Sequence, residues 1–317
     1  MPSLVISLDF ELFWGVVESR SINNYQKNIK GERTAIPKIL DLFKRYGIRA
    51  TWATVGMLMC RDYSQWCEIR PSILPSYHRA KCSSYILDAM VRDNPNLFFA
   101  RSLVESILDA SEQEVASHSY SHFFCGEPGA TPEQFAADLI CASEIGAELG
   151  IQYRSFVFPR NQIKEDYLKE LLKAGYSVFR GNKDYWLYRD GHSVVGGIAG
   201  RSIRMADAYL PISSNQFVLP PSVSSLVDVP ASYFLRPWST HLSAFESIRL
   251  SRIKNAMTAA ALEDGVFHLW WHPHNFGVNI DENLAVLESL LQHYICLRDK
   301  YGMKSSQMSD FAPEAVS

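Results

Sequence analysis

The chain has no run of about 18 consecutive apolar residues, so no segment reads as a membrane span. It has no excess of either charge: 31 Lys and Arg against 34 Asp and Glu leave a formal net charge of −3. Polyanions are held chiefly by clustered cations, so this balance argues against a nucleic acid partner and against an anionic lipid surface. The six cysteines (Cys60, Cys67, Cys82, Cys125, Cys141, Cys296) contain no C-x-x-C, and 317 residues can fold without covalent staples, which predicts reduced thiols. The N-terminal MPSLVISLDFELFWG lacks a basic n-region, and Asp9 and Glu11 interrupt its apolar run. No secretory signal is therefore expected, and a cytoplasmic location is the default. What is present is ordinary for a globular protein, with 47% hydrophobic and 21% charged residues. Nothing in the sequence sets the oligomeric state.

Apolar spacing gives the organisation. Leu4 to Leu8 reads as a short buried strand, and Ile36, Ile39, Leu40, Phe43 and Tyr46 recur at helical spacing over Arg33 to Tyr46. Pro37 suits a first turn and Gly47 lies past the end. Ile48 to Val55 reads as the next strand, completing a βαβ unit with parallel strands. Further on, Thr131-Pro132-Glu133-Gln134 is a capping box with proline at the first helical position, and Gly150 closes that helix. Strands are expected at Val115 to Ser117, Ser155 to Phe158, Tyr176 to Phe179 and Val266 to Trp271. Helices are expected over Glu165 to Ala174, Leu242 to Ala261 and Asp281 to Tyr301. The alternation continues with no linker-like break, which predicts one α/β domain over residues 1–317 with a parallel sheet, a barrel in preference to an open sheet. Residues 62–96 and 210–240 break the rhythm and read as irregular insertions of the kind that form substrate loops or lids.

Catalytic groups of a parallel α/β barrel stand at the C-terminal ends of its strands, so the polar residues that follow each strand are the candidates. Asp9 and Glu11 follow the first strand two residues apart, which puts both carboxylates on one side; the alternative is a solvated pair at a strand end. His118 and His122 stand four apart, where one helical turn would bring both imidazoles to one face and onto one divalent metal. Surface or core histidine pairs give the same spacing. Arg160 and Asn161 follow the strand at Ser155 to Phe158, and an arginine beside Asp9 would keep that carboxylate ionised. His272 and His274 follow the last strand, whereas His268, inside it, is expected to be a packed core residue. Two imidazoles and a carboxylate make a metal site with a position left for water. A second carboxylate that accepts a proton and a histidine that donates one complete the equipment for hydrolysis.

Over most of its length the chain resembles the polysaccharide deacetylases of the NodB-homology (carbohydrate esterase) family. SLDFELFWG is similar to the spaced D-x-E variant of the family's first motif, which implies Asp9 as base and Glu11 as metal ligand. His118-Ser119-Tyr120-Ser121-His122 matches H-[ST]-x-x-H and implies two further ligands. Leu269 to His272 approaches the final L-x-H and implies His272 as general acid, with His274 as a competitor. The family's third motif has arginine before proline, whereas here Pro159 precedes Arg160, so the arginine that orients Asp9 is Arg160 or Arg154. The resemblance implies a distorted (β/α)7 barrel, a divalent metal with zinc the usual ion, and a carbohydrate substrate. FVLPPSVSS, inside the second insertion, resembles a late barrel strand of the family. Trp14, just after the acids, is the preferred sugar-stacking surface among Trp52, Trp186, Trp238, Trp270 and Trp271, and Asn161 and His274 are placed on the substrate side. The implied reaction removes acetyl from an N-acetylated sugar in a nucleotide sugar, a lipid-linked glycan or a polysaccharide precursor. Two alternatives stay open: a catalytically impaired glycan-binding relative, and an amide hydrolase or deformylase acting on a small molecule.

Overall fold

The structure is a computed structural model that describes residues 1–183, 197–209, 213, 217–219 and 225–313, with side chains 197–201 and 204 left out. Among the described residues nine strands form one sheet: β1 (Ser3–Phe10), β2 (Ala50–Thr54), β3 (Gln113–Ser117), β4 (Ser155–Val157), β5 (Val178–Arg180), β6 (Val227–Asp228), β7 (Tyr233–Phe234), β8 (Val266–Trp271) and β9 (Lys304–Ser306). The order is β6-β5-β4-β3-β2-β1-β8-β7, all neighbours parallel, and β9 pairs with the first half of β1. At about 4.8 Å per strand, a flat sheet would hold β6 and β7 roughly 34 Å apart. Only residues 229–232 separate them in sequence, a tether of about 17 Å at most. The sheet is therefore curled into a distorted α/β barrel.

Strand alternation explains both the core and the site. On β1 the even residues Leu4, Ile6, Leu8 and Phe10 face the helices, while Val5 joins Ala53, Val157, Val178, Val227 and Val266 in a separate cluster inside the barrel. Short β-branched residues fill this narrow interior, and Met308, from the turn after β9, packs with them as its floor. Counting upward by two, β1 presents Ser7, then Asp9; β8 presents His268, then Trp270; β5 presents Arg180 above Val178. The interior thus changes from apolar to ionic within one strand length.

Most of the expected elements form, with three differences. The first helix runs Ile22–Tyr46, so Pro37 lies in its interior and not in its first turn. The helix starts where Asn24 Oδ1 accepts the Ser21 N–H, and burial of Ile29, Ile36, Ile39 and Phe43 offsets the hydrogen bond that proline cannot make. The segment 210–240 is not only an insertion: it contains β6 and β7, with Val218 bridging Val266 of β8. Of FVLPPSVSS, residues 220–224 lie outside the described residues. The segment 62–96 holds short helices at Tyr63–Glu68 and Asp88–Asp93, and it packs on the loop after β3 through Ser84 Oγ donating to the Ser121 carbonyl and Tyr77 Oη accepting the Phe124 N–H. Among the described residues no helix is long and apolar enough to cross a membrane.

Gly31 of the first helix touches the turn that follows β8: a Cβ there would lie 1.8 Å from the Gly277 carbonyl oxygen. Alanine gains about 1 kcal/mol of helix propensity over glycine, whereas overpacking a rigid contact costs about 1–3 kcal/mol. Gly31→Ala is therefore expected to lower the urea midpoint by a net loss of up to about 2 kcal/mol. An unchanged or raised midpoint would show that the turn yields freely.

Candidate metal and hydrolase site

Asp9 and Glu11 leave the end of β1 almost completely buried. Gly15, in the 3-10 turn Leu12–Gly15, has no side chain because the Glu11 carboxylate occupies its space: a Cβ there would lie 1.7 Å from Oε2. Glu11 Oε1 is the meeting point of the site, 3.0 Å from His118 Nε2, 3.2 Å from His122 Nε2 and 3.6 Å from His272 Nε2. Asp9 Oδ2 lies 3.8 Å from the same His272 atom. Ligand atoms of Glu11, His118 and His122 lie within 4.8 Å of one another, and so do those of Asp9, Glu11 and His272.

The two histidines do not reach this point from one turn of helix. Residues 118–122 form a loop in which Ser119 (φ 60°) and His122 (φ 57°) are left-handed. His118 Nδ1 donates to the Val157 carbonyl at 2.8 Å, which in the neutral ring leaves Nε2 as a lone pair. That lone pair faces a carboxylate oxygen at hydrogen-bond distance. Two electron-rich atoms so placed call for a cation between them, and the His122 Nδ1, buried without a partner, belongs to a ring whose one polar contact is also Glu11. The donor set of one carboxylate and two imidazoles fits a divalent cation such as zinc.

The carboxylates differ in what keeps them charged. Burial would raise Asp9, but Arg180 overrides it and holds the group below the ordinary aspartate range. Nη1 donates to Oδ1 at 2.6 Å and Nη2 to Oδ2 at 2.7 Å, a bidentate pair. Glu11, against the same burial cost, is held well below its ordinary value by the surrounding imidazoles, the charge of His272 first and then that of His122. Behind Arg180 stands a chain whose donors can be assigned. His268 Nδ1 donates to the Val229 carbonyl, its Nε2 accepts from Ser7 Oγ at 2.8 Å, and Ser7 Oγ accepts from Arg180 Nη1 at 3.0 Å. His268 is thus in the core as expected. Burial and the nearby Arg180 push it down to about 3, so it stays neutral and aims the guanidinium.

Arg160 is not the arginine on Asp9. Its backbone is left-handed (φ 56°), and its guanidinium pairs with Glu18 and lies over the Phe124 ring at 3.8 Å. Arg154 is exposed and precedes β4, at the opposite end of the strand. Arg180 was available to the same rule that finds the other candidates, since it directly follows the strand expected at Tyr176 to Phe179. Asn161 does reach the site, its Oδ1 accepting from Arg180 Nη2 at 3.0 Å. Trp14 is a core residue, fully buried, with its indole N–H donated to the Phe98 carbonyl. Trp52 and Trp271 are also fully buried, and Trp186 lies outside the described residues. Among the described residues, Trp270 is the tryptophan at the site: half-buried, over Arg180 at 4.2 Å, and beside Phe234 and His272. His274 stacks on His272 at 5.0 Å but is buried, and burial with the charge of His272 pushes it down to about 3. The partly exposed ring facing both acids is His272.

Removing one member of a buried ion pair leaves the other charge uncompensated, at a cost of about 3–5 kcal/mol, whereas a more exposed pair contributes about 1 kcal/mol or less. Arg180→Met is accordingly expected to destabilise the fold severalfold more than Arg160→Met in parallel denaturant titrations. Equal losses would contradict the assignment of Arg180 as the partner of Asp9.

Residues 29–179 match the family model for polysaccharide deacetylase. No curated protein sequence matches the chain. Solved structures that share the fold include a protein from Mycobacterium smegmatis assigned as a polysaccharide deacetylase, 14% identical, with a TM-score of 0.60 over 97% of this chain and 87% of that one. Another, from Pseudomonas aeruginosa PAO1 with the same assignment, is 12% identical, with a TM-score of 0.56 over 98% of this chain and 89% of that one. A GH57-type branching enzyme from Pyrococcus horikoshii has a TM-score of 0.54 at 11% identity over 98% of this chain and 69% of that one, so the likeness in these structures is one of fold. With its motifs at the strand ends of such a barrel, the chain is similar over residues 29–179 to the polysaccharide deacetylase domain of NodB homology.

Proposed function

We propose that the protein is a metal-dependent hydrolase that removes the acetyl group from an N-acetylated sugar. The observation that carries this reading is the convergence of Glu11, His118 and His122 on one point, with Asp9 and His272 beside it. Glu11, His118 and His122 would hold the cation, zinc by preference for its nitrogen-rich set. When bound, such an ion acts as a Lewis acid toward the acetyl carbonyl and makes water easier to deprotonate.

The chain's own residues supply the rest. Asp9, kept ionised by Arg180, accepts a proton from the attacking water through the oxygen nearer His272. His272 is 23% exposed and so can reach a substrate atom; it gives a proton to the departing sugar amine. Asn161 and Ser7 fix the guanidinium, so the base does not rotate away from the site. Trp270 and Phe234, in tilted contact with ring centroids 4.7 Å apart beside His272, offer an aromatic wall of the kind that packs against the apolar face of a sugar ring. The sugar is an N-acetylated unit of a nucleotide sugar, a lipid-linked glycan or a polysaccharide precursor.

Elemental analysis combined with acetate release from a panel of such substrates tests the proposal. His118→Ala is expected to lose both metal and turnover. Asp9→Asn is expected to keep the metal and lose turnover by about 10²-fold or more, the usual span for a general base. Bound metal with no acetate released from any substrate would favour the glycan-binding alternative, and formate or ammonia in place of acetate would favour the small-molecule hydrolase.

A further inference from the structure

We propose that Asp138 is a positioning residue for the metal centre, fixing the shape of the loop from His118 to His122 so that its two imidazoles converge. The inference rests on the reading of those histidines as ligands.

The loop cannot hold this shape through helical hydrogen bonds, because left-handed Ser119 and His122 take it out of any helix. Its interior amides therefore need acceptors from elsewhere. Asp138, in the middle of the helix Pro132–Ala147, supplies them: Oδ1 accepts the Tyr120 N–H at 2.7 Å, and Oδ2 accepts the Ser121 N–H at 3.0 Å and the Ser121 hydroxyl at 2.5 Å. Both oxygens are thus spent on the two residues midway between the ligands. The carboxylate is 1% exposed, and charge-assisted bonds in such surroundings are the strong kind. The opposite side of the loop is held by neutral bonds only, from the Gly56 and Met57 amides to the Ser119 and Tyr120 carbonyls and from Ser84 Oγ to the Ser121 carbonyl. The clamp is one-sided. Without its charged half, the two peptide planes between Ser119 and Ser121 keep only their carbonyl bonds to the turn after β2, one anchor each where there were two, and the directions of His118 and His122 are held less tightly.

Asparagine at 138 keeps the volume but turns one acceptor into a donor that faces another donor. Asp138→Asn is expected to weaken Zn²⁺ binding by about 10- to 100-fold, the usual range for residues behind metal ligands. It is also expected to shift the visible d–d bands of the Co²⁺-substituted protein, while the metal-free chain still melts cooperatively. Ser121→Ala, which deletes only the hydroxyl bond, should give a smaller loss in the same direction and serves if the first variant does not fold. Wild-type Zn²⁺ affinity and an unchanged Co²⁺ spectrum in these variants, with His118→Ala still losing the ion, would overturn the role of Asp138 alone. Unchanged binding in His118→Ala as well would overturn the metal reading and the clamp together.

Discussion

Two carboxylates, Asp9 and Glu11, are buried at the mouth of a barrel, and the surrounding structure is arranged to make that tolerable. An isolated charge in such a place would cost several kcal/mol or be neutralised by a proton. Each acid has a different remedy. Asp9 is compensated by a permanent cation, the Arg180 guanidinium, which matches both of its oxygens. Among the described residues Glu11 has no permanent cation beside it and faces the ring nitrogens of His118 and His122. In the proposed function, that division would separate a carboxylate kept free to take a proton from one committed to a cation.

The compensation is layered. Arg180 could rotate in its pocket were it not fixed by Ser7, and Ser7 is fixed by His268, whose burial keeps it neutral and so able to accept. All three come from inward positions on three strands, β5, β1 and β8, directly above the valine layer. Packing and electrostatics are here one design: the valines set the bore of the barrel, and that bore sets how far an arginine on one side lies from an aspartate on the other.

Backbone strain marks the same rim. Leu12, Ser119, His122, Arg160 and Asn161 are non-glycine residues with positive φ, and they follow β1, β3 and β4 within a few positions. Each such residue costs about 1 kcal/mol or more and persists only where surrounding contacts impose it. For the loop after β3, such contacts come from the segment 62–96 and the helix Pro132–Ala147, so the insertion buttresses that loop as well as forming part of the rim.

What the sequence determined by itself was the local part. Hydrophobic alternation set the strands, the Thr131 capping box set a helix start, and the rule that polar residues follow barrel strands pointed to Asp9, Glu11, His118, His122 and His272. Alternation also put His268, Trp270 and His272 on one face. The tertiary structure alone decided which partner each residue meets. Arg180 finds Asp9 across 171 positions of chain because the sheet curls, and no motif near either residue records that distance. Arg160, chosen for its place after the strand at Ser155 to Phe158, is turned away by its own left-handed backbone, and Trp14, chosen for its place after the acids, is sealed behind them. Periodicity and capping depend on residues a few positions apart and are therefore written in the sequence, whereas burial and ion pairing depend on closure of the barrel, which only the folded chain supplies.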